Sequence, residues 1–143
     1  MAVVLVVEDN AANLKLVTLL LVHAGHEVLS ADDAETGLTM ARERQPDLIL
    51  MDVQLPGMDG LAATALLKAD LRTAAIPIIA LTALAMKADA ERGRAAGCAA
   101  YITKPLRRFE LYETIDRLLA DPMAELDPLP AEVLPEPVSA PVR

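Results

Sequence analysis

Four apolar, strand-like runs in this chain each end in a polar residue: Val3–Val7 in Glu8 and Asp9, residues 47–51 in Asp52, residues 78–81 in Thr82, and residues 99–103 in Lys104 and Pro105. Runs rich in Val, Ile and Leu, without polar alternation, are expected of strands covered on both faces, and such strands belong to parallel sheets. An open parallel sheet brings the carboxyl ends of its strands to one edge, where ligands bind. Three carboxylates, a hydroxyl and an ammonium would therefore converge.

The intervening segments read as helices. Asn10 offers an N-cap, and Leu14, Val17, Leu20, Leu21 and Ala24 recur at helical spacing until Gly25 supplies a stop. Glu27–Ala31 reads as a second strand, and Asp32 with Glu35 forms a capping box for a helix that Pro46 ends. After Asp52, the turn residues Pro56, Gly57 and Gly60 precede a helix through Leu61, Leu66 and Leu67. Pro77 opens the fourth strand, a helix from about Met86 ends at Gly97, and Leu111, Ile115, Leu118 and Leu119 mark a last amphipathic helix. Five strand–helix alternations predict an α/β fold: a doubly wound, five-stranded parallel sheet in the order 2-1-3-4-5, flanked by five helices.

A chain of 143 residues suits one domain, placed at 1–120. The last 23 residues, 121–143, hold six of the ten prolines with acids between them, and read as an acidic, Pro-rich, extended or disordered tail. A single cysteine, Cys98, rules out an internal disulfide and reads as a small buried side chain. The longest apolar stretch, residues 16–22, is interrupted by Thr18 and falls far short of the roughly 18–20 residues of a bilayer span. With no basic leader before Glu8, the expected location is the cytoplasm, away from the membrane. The net charge of −8, half of it in the tail, repels phosphate backbones, so the expected partner is a protein and not nucleic acid.

With that strand order, Glu8, Asp9 and Asp52 share one pocket. Carboxylates that close repel by several kcal/mol, so the cluster either protonates or takes a cation. Oxygen-only ligands suit Mg²⁺ better than zinc, which prefers His or Cys. A carboxylate is also a nucleophile toward phosphorus when the charge on the phosphoryl oxygens is neutralised. Lys104 would supply a second positive charge and Thr82 a hydroxyl donor, with small Ala83 leaving room for a phosphodonor. Tyr101 lies two positions from that edge, where its ring either packs inward or swings to solvent. Met58 and Met86 read as packing residues, and His23 and His26 are not spaced like metal ligands.

The segments Val-Val-Glu-Asp-Asn at 6–10, Leu-Met-Asp-Val-Gln-Leu-Pro-Gly-Met-Asp-Gly at 50–60, Ala-Leu-Thr-Ala at 80–83 and Tyr-Ile-Thr-Lys-Pro at 101–105 resemble a response-regulator receiver domain, with a CheY-like, flavodoxin-like fold. The resemblance spans residues 2–120, and residues 82–98 are particularly similar to single-domain cell-division regulators. It implies that Asp52 accepts phosphate from a phosphohistidine on a histidine kinase or histidine phosphotransfer protein. It further implies Mg²⁺ held by Glu8, Asp9, Asp52 and the main-chain carbonyl of Gln54, phosphoryl binding by Thr82 and Lys104, an inward turn of Tyr101, and a cis Lys104–Pro105 peptide. Many receivers carry Asp where this chain has Glu8, so direct ligation and ligation through water both remain open there. Leu84 offers nothing to orient a hydrolytic water, which implies slow self-dephosphorylation. The expected output is a protein contact through the fourth helix, fifth strand and fifth helix, read by a downstream kinase or adaptor, so the chain is a signalling switch and not an enzyme.

Rival readings are weaker. A metal-dependent phosphatase with an aspartate nucleophile wants a second acid two residues on, and position 54 is Gln. A flavin site needs backbone donors where Glu8 and Asp9 stand. A receiver fragment of a hybrid histidine kinase and an unphosphorylated protein-binding scaffold are the remaining alternatives.

Overall fold

A computed structural model of the chain describes residues 2–83 and 87–120. Strands β1 (Val3–Val7), β2 (Glu27–Ala31), β3 (Leu48–Asp52), β4 (Ile78–Thr82) and β5 (Ala100–Thr103) alternate with helices α1 (Ala11–His23), α2 (Ala34–Arg44), α3 (Gly60–Ala69), α4 (Lys87–Ala96) and α5 (Arg108–Ala120). All strand pairs are parallel and the order is β2-β1-β3-β4-β5, as the sequence predicts.

Alternation within each central strand divides the core in two. Leu5, Val7, Ile49, Met51, Ile78 and Ala80 face Leu38 and Ala41 of α2 and Leu61, Ala63 and Leu67 of α3. Val4, Val6, Leu48, Leu50, Ile79 and Leu81 face Val17 and Leu21 of α1 and Leu111, Ile115 and Leu118 of α5. β3 and β4 are buried along their whole length, which explains why neither shows a polar alternation in sequence. Tyr112 ties α5 to α1 by donating its hydroxyl to the Leu20 carbonyl at 2.8 Å.

Three boundaries differ from the sequence reading. The α2 cap is Asp33, whose carboxylate accepts the Thr36 N–H at 2.7 Å, not Asp32 with Glu35. Ala31 is the last paired residue of β2, and Asp32 is an exposed spacer before the cap. β3 starts at Leu48, although Asp47 already donates its N–H to the Val3 carbonyl at 2.8 Å and accepts the Val3 N–H on its Oδ2 at 2.8 Å. β5 starts at Ala100, although Ala99 already donates to the Ile78 carbonyl at 2.7 Å. Met86 and the 121–143 tail lie outside the described residues.

Lys68 organises the side of the sheet facing α3 and α4. Its ammonium donates to the carbonyls of Ala74 and Ile76 at 3.0 and 2.6 Å, closing the α3–β4 loop. Its stem lies so close to Gly97 (φ +108°) that a Cβ there would sit 2.6 Å from Lys68 Cγ.

The closest backbone approach is at Gly60, the first residue of α3, where a Cβ would collide with the Asp52 carbonyl oxygen. Backbone cannot yield as a flexible side chain does, so Gly60→Ala must push α3 away from the end of β3. We expect that variant to lose about 2–4 kcal/mol of stability, read as a lower midpoint in urea with an unchanged slope.

Candidate functional site

The carboxyl ends of β1, β3, β4 and β5 meet at one edge. The chain stays sheet-like past β1, since Glu8 donates its N–H to the Ala31 carbonyl at 2.9 Å, and this carries the Glu8 side chain inward to 1% exposure. Asp9 follows on the exposed side. Asp52, the last residue of β3, is 3% exposed, and Thr82, the last of β4, is 1% exposed. Lys104 is placed by its own backbone, whose N–H donates to the Thr82 carbonyl at 2.6 Å, and the Lys104–Pro105 peptide is cis, as expected.

The side chains then close on each other. Lys104 Nζ donates to Glu8 Oε1 at 2.9 Å and to Asp52 Oδ2 at 3.3 Å. Asp52 Oδ1 accepts the Gln54 N–H at 3.0 Å, and Glu8 Oε2 accepts the Asn10 N–H at 3.2 Å. Asn10 is also the α1 cap, its Oδ1 accepting the Asn13 N–H at 2.9 Å, so one residue links helix start and acidic cluster. Glu8 therefore has both oxygens engaged within the protein.

One carboxylate oxygen from each of Glu8, Asp9 and Asp52 lies within 4.8 Å of the others. Burial, and then the neighbouring Glu8, pushes the Asp52 carboxyl up to about 6, although the Gln54 N–H and Lys104 oppose the shift. Burial would raise Glu8 too, but hydrogen bonds from Asp52, Lys104 and the Asn10 N–H outweigh it and leave Glu8 below its ordinary value. Burial alone would lower the Lys104 ammonium, and the two carboxylates hold it above its ordinary value instead. Hard oxygen donors around an excess of negative charge fit a divalent cation such as Mg²⁺.

The structure brings Glu8, Asp9, Asp52, Thr82 and Lys104 together and sets Gln54 beside Asp52 through its amide. Tyr101 is half-buried on β5 and packs against the core cluster under α2 and α3, with small Gly93 of α4 close to its ring. Leu84 lies outside the described residues. The sequence reading missed a groove beside the cluster, about 50 Å³ in volume and lined by Glu8, Asn13, Leu16, Lys104, Pro105 and Leu106. Only Leu16, an apolar residue on the outer face of a helix, hinted at it. Cys98 is buried, and burial pushes its thiol up to about 11, in keeping with a packing role.

A five-stranded parallel sheet of this order, with these groups at its carboxyl edge, defines a CheY-like receiver domain. The chain belongs to the response regulator receiver domain family, whose profile matches residues 4–116. It is 48% identical over 118 residues to the polar-differentiation response regulator DivK of Brucella anthropi, covering 82% of this chain and 96% of that protein. It also resembles the receiver domain of sensor histidine kinase PA1611 from Pseudomonas aeruginosa PAO1, solved with a magnesium ion in the active-site cleft (TM-score 0.78, 35% identity, 83% of this chain and 98% of that one). A response regulator from Chloroflexus aurantiacus superposes with a TM-score of 0.81 at 31% identity, over 83% of this chain and 98% of that one. The protein is a DivK-like receiver domain, consistent with a phosphorylation-dependent two-component switch.

The raised Asp52 carboxyl has a signed consequence. Its folded value, about 6, lies above the ordinary 3.8, so the stability from its protonated form is present below that ordinary value and lost as pH rises through the folded one. Without divalent cations, Asp52→Asn should match the parent near about pH 4 and exceed it by about 1–2 kcal/mol above about pH 7, a difference that urea midpoints at the two pH values will measure.

Proposed function

We propose that this chain accepts a phosphoryl group on Asp52 from a phosphohistidine of a histidine kinase or histidine phosphotransfer protein, and passes the signal on by protein contact. The observation that carries this reading is the buried Asp52 carboxylate, shared with Lys104 and within reach of Glu8 and Asp9. In the transfer, an Asp52 oxygen forms a bond to phosphorus as the phosphorus–nitrogen bond of the donor breaks. The imidazole nitrogen keeps the electron pair and takes up a proton.

Mg²⁺, held by Asp9, Asp52, the Gln54 carbonyl and Glu8 directly or through water, would supply positive charge beside the phosphoryl oxygens. Lys104 already sits between Glu8 and Asp52, so its ammonium needs only to exchange Asp52 Oδ2 for a phosphoryl oxygen. Thr82, at the end of the adjacent strand, donates its hydroxyl to another. Drawing Thr82 toward the phosphoryl group frees space into which Tyr101 turns, and the surface of α4, β5 and α5 changes for a downstream kinase or adaptor. The chain catalyses only its own loading and slow unloading, in the cytoplasm, and is otherwise no enzyme. A second reading, the receiver portion of a hybrid histidine kinase, is favoured by the likeness to the receiver of a sensor histidine kinase.

Incubation with Mg²⁺ and acetyl phosphate should add one phosphoryl mass to the peptide containing Asp52, and none in Asp52→Asn. Removal of Mg²⁺ by chelation should abolish the addition. The phosphorylated form should persist for minutes or longer, and a half-life of seconds would contradict slow unloading. In Thr82→Ala, uptake should continue while the phosphorylation-induced amide shifts of β5 and α5 disappear.

A further inference from the structure

Three of the six large, exposed apolar residues among the described ones lie on a single helix: Leu16, Leu19 and Val22 of α1, at 43%, 59% and 56% exposure. A solvent-facing helix surface ordinarily carries charge. α1 carries no acidic residue at all, and its only titratable side chains are Lys15 and His23. At its upper end the stripe runs through Leu16 into the groove beside Lys104, next to the exposed Arg107 and Arg108 at the start of α5. Lys15, Arg107 and Arg108 give the stripe basic flanks, with Glu8 buried behind Lys104 and Glu110 exposed beyond Arg108, and an apolar stripe so flanked suits an acidic and apolar occupant.

The chain carries such a segment. Residues 121–143 place Met123, Leu126, Leu129, Val133 and Leu134 among five acids and a single arginine. The family match ends at residue 116, so the fold itself does not call for this segment. Its starting point is favourable: α1 and α5 both follow strands of one parallel sheet and pack side by side through Leu20 and Tyr112, so both end at the same edge. The 23 residues after α5 reach up to about 70 Å in the extended conformation that proline favours, against about 20 Å for the 13 residues of α1. Prolines also lower the entropy lost when an extended segment docks.

We propose that residues 121–143 dock along the Leu16–Leu19–Val22 stripe of α1, their leucines on the apolar surface and their acids toward Lys15, Arg107 and Arg108. The docking goes beyond the phosphoryl-acceptor reading and does not depend on it.

The two-dimensional amide NMR spectrum of the full chain tests this against a variant carrying L126S, L129S, V133S and L134S. The amides of α1 should shift between the two proteins, independently of protein concentration, while those of α2 and α3 stay in place. Both core clusters close within residues 2–120, so a chain ending at 120 is also a valid partner for a synthetic 121–143 peptide. That peptide should restore the α1 shifts saturably, with an affinity that falls several-fold as salt screens the charges. Leu19→Asp in the full chain should move the tail amides to the positions they have in the free peptide. Identical α1 amides in parent and tail variant would overturn the proposal. So would α1 shifts that follow protein concentration together with dimers in sedimentation, since a second copy would then cover the stripe.

Discussion

Two buried carboxylates and one ammonium, brought together from residues 8, 52 and 104, are the constraint on which the carboxyl edge depends. Isolated, any one of these charges would be too costly to bury. Together they are tolerated because Lys104 is shared at 2.9 and 3.3 Å and because backbone amides of Asn10 and Gln54 satisfy the remaining oxygens. The balance is incomplete, as the raised Asp52 carboxyl records, and that surplus of negative charge gives a cation a reason to bind there. A site comfortable without a ligand would have little to gain from one.

The sheet makes the crowding possible. Parallel register places Met51 beside Val7 and Thr82 beside Thr103, so residues far apart in the chain end at the same height. Gly60 lets α3 begin directly against the Asp52 backbone, holding that strand end in place from behind. Thr82 and Thr103 end β4 and β5 side by side, and Tyr101, two residues before Thr103, packs on the core under α2 and α3 with its ring close to Gly93 of α4.

Most of the fold was legible because its signals are local. Apolar runs without alternation marked buried parallel strands, and Asn10, Gly25, Pro46 and Gly97 punctuated them. Adjacent aspartates at 32 and 33 blurred one cap, since the Asp-x-x-Glu spacing favours Asp32 while the strand's last paired residue favours Asp33. The residues converging at the edge were also readable from strand ends. Their bonding was not: that Glu8 is occupied by Lys104 and by Asn10 depends on rotamers and on a contact spanning 96 residues, which no spacing rule carries. The role of Lys68 was equally hidden, since a lysine on a helix ordinarily reads as a solvated charge.

Lys68 gives the far side of the sheet an asymmetry. One side chain anchored on α3 bridges two carbonyls of the following loop and fills the space above Gly97, where α4 gives way to β5. A methylene stem wedged there acts like a dowel between two boards: sliding the end of α4 past α3 would have to eject a half-buried cation from its carbonyl seat.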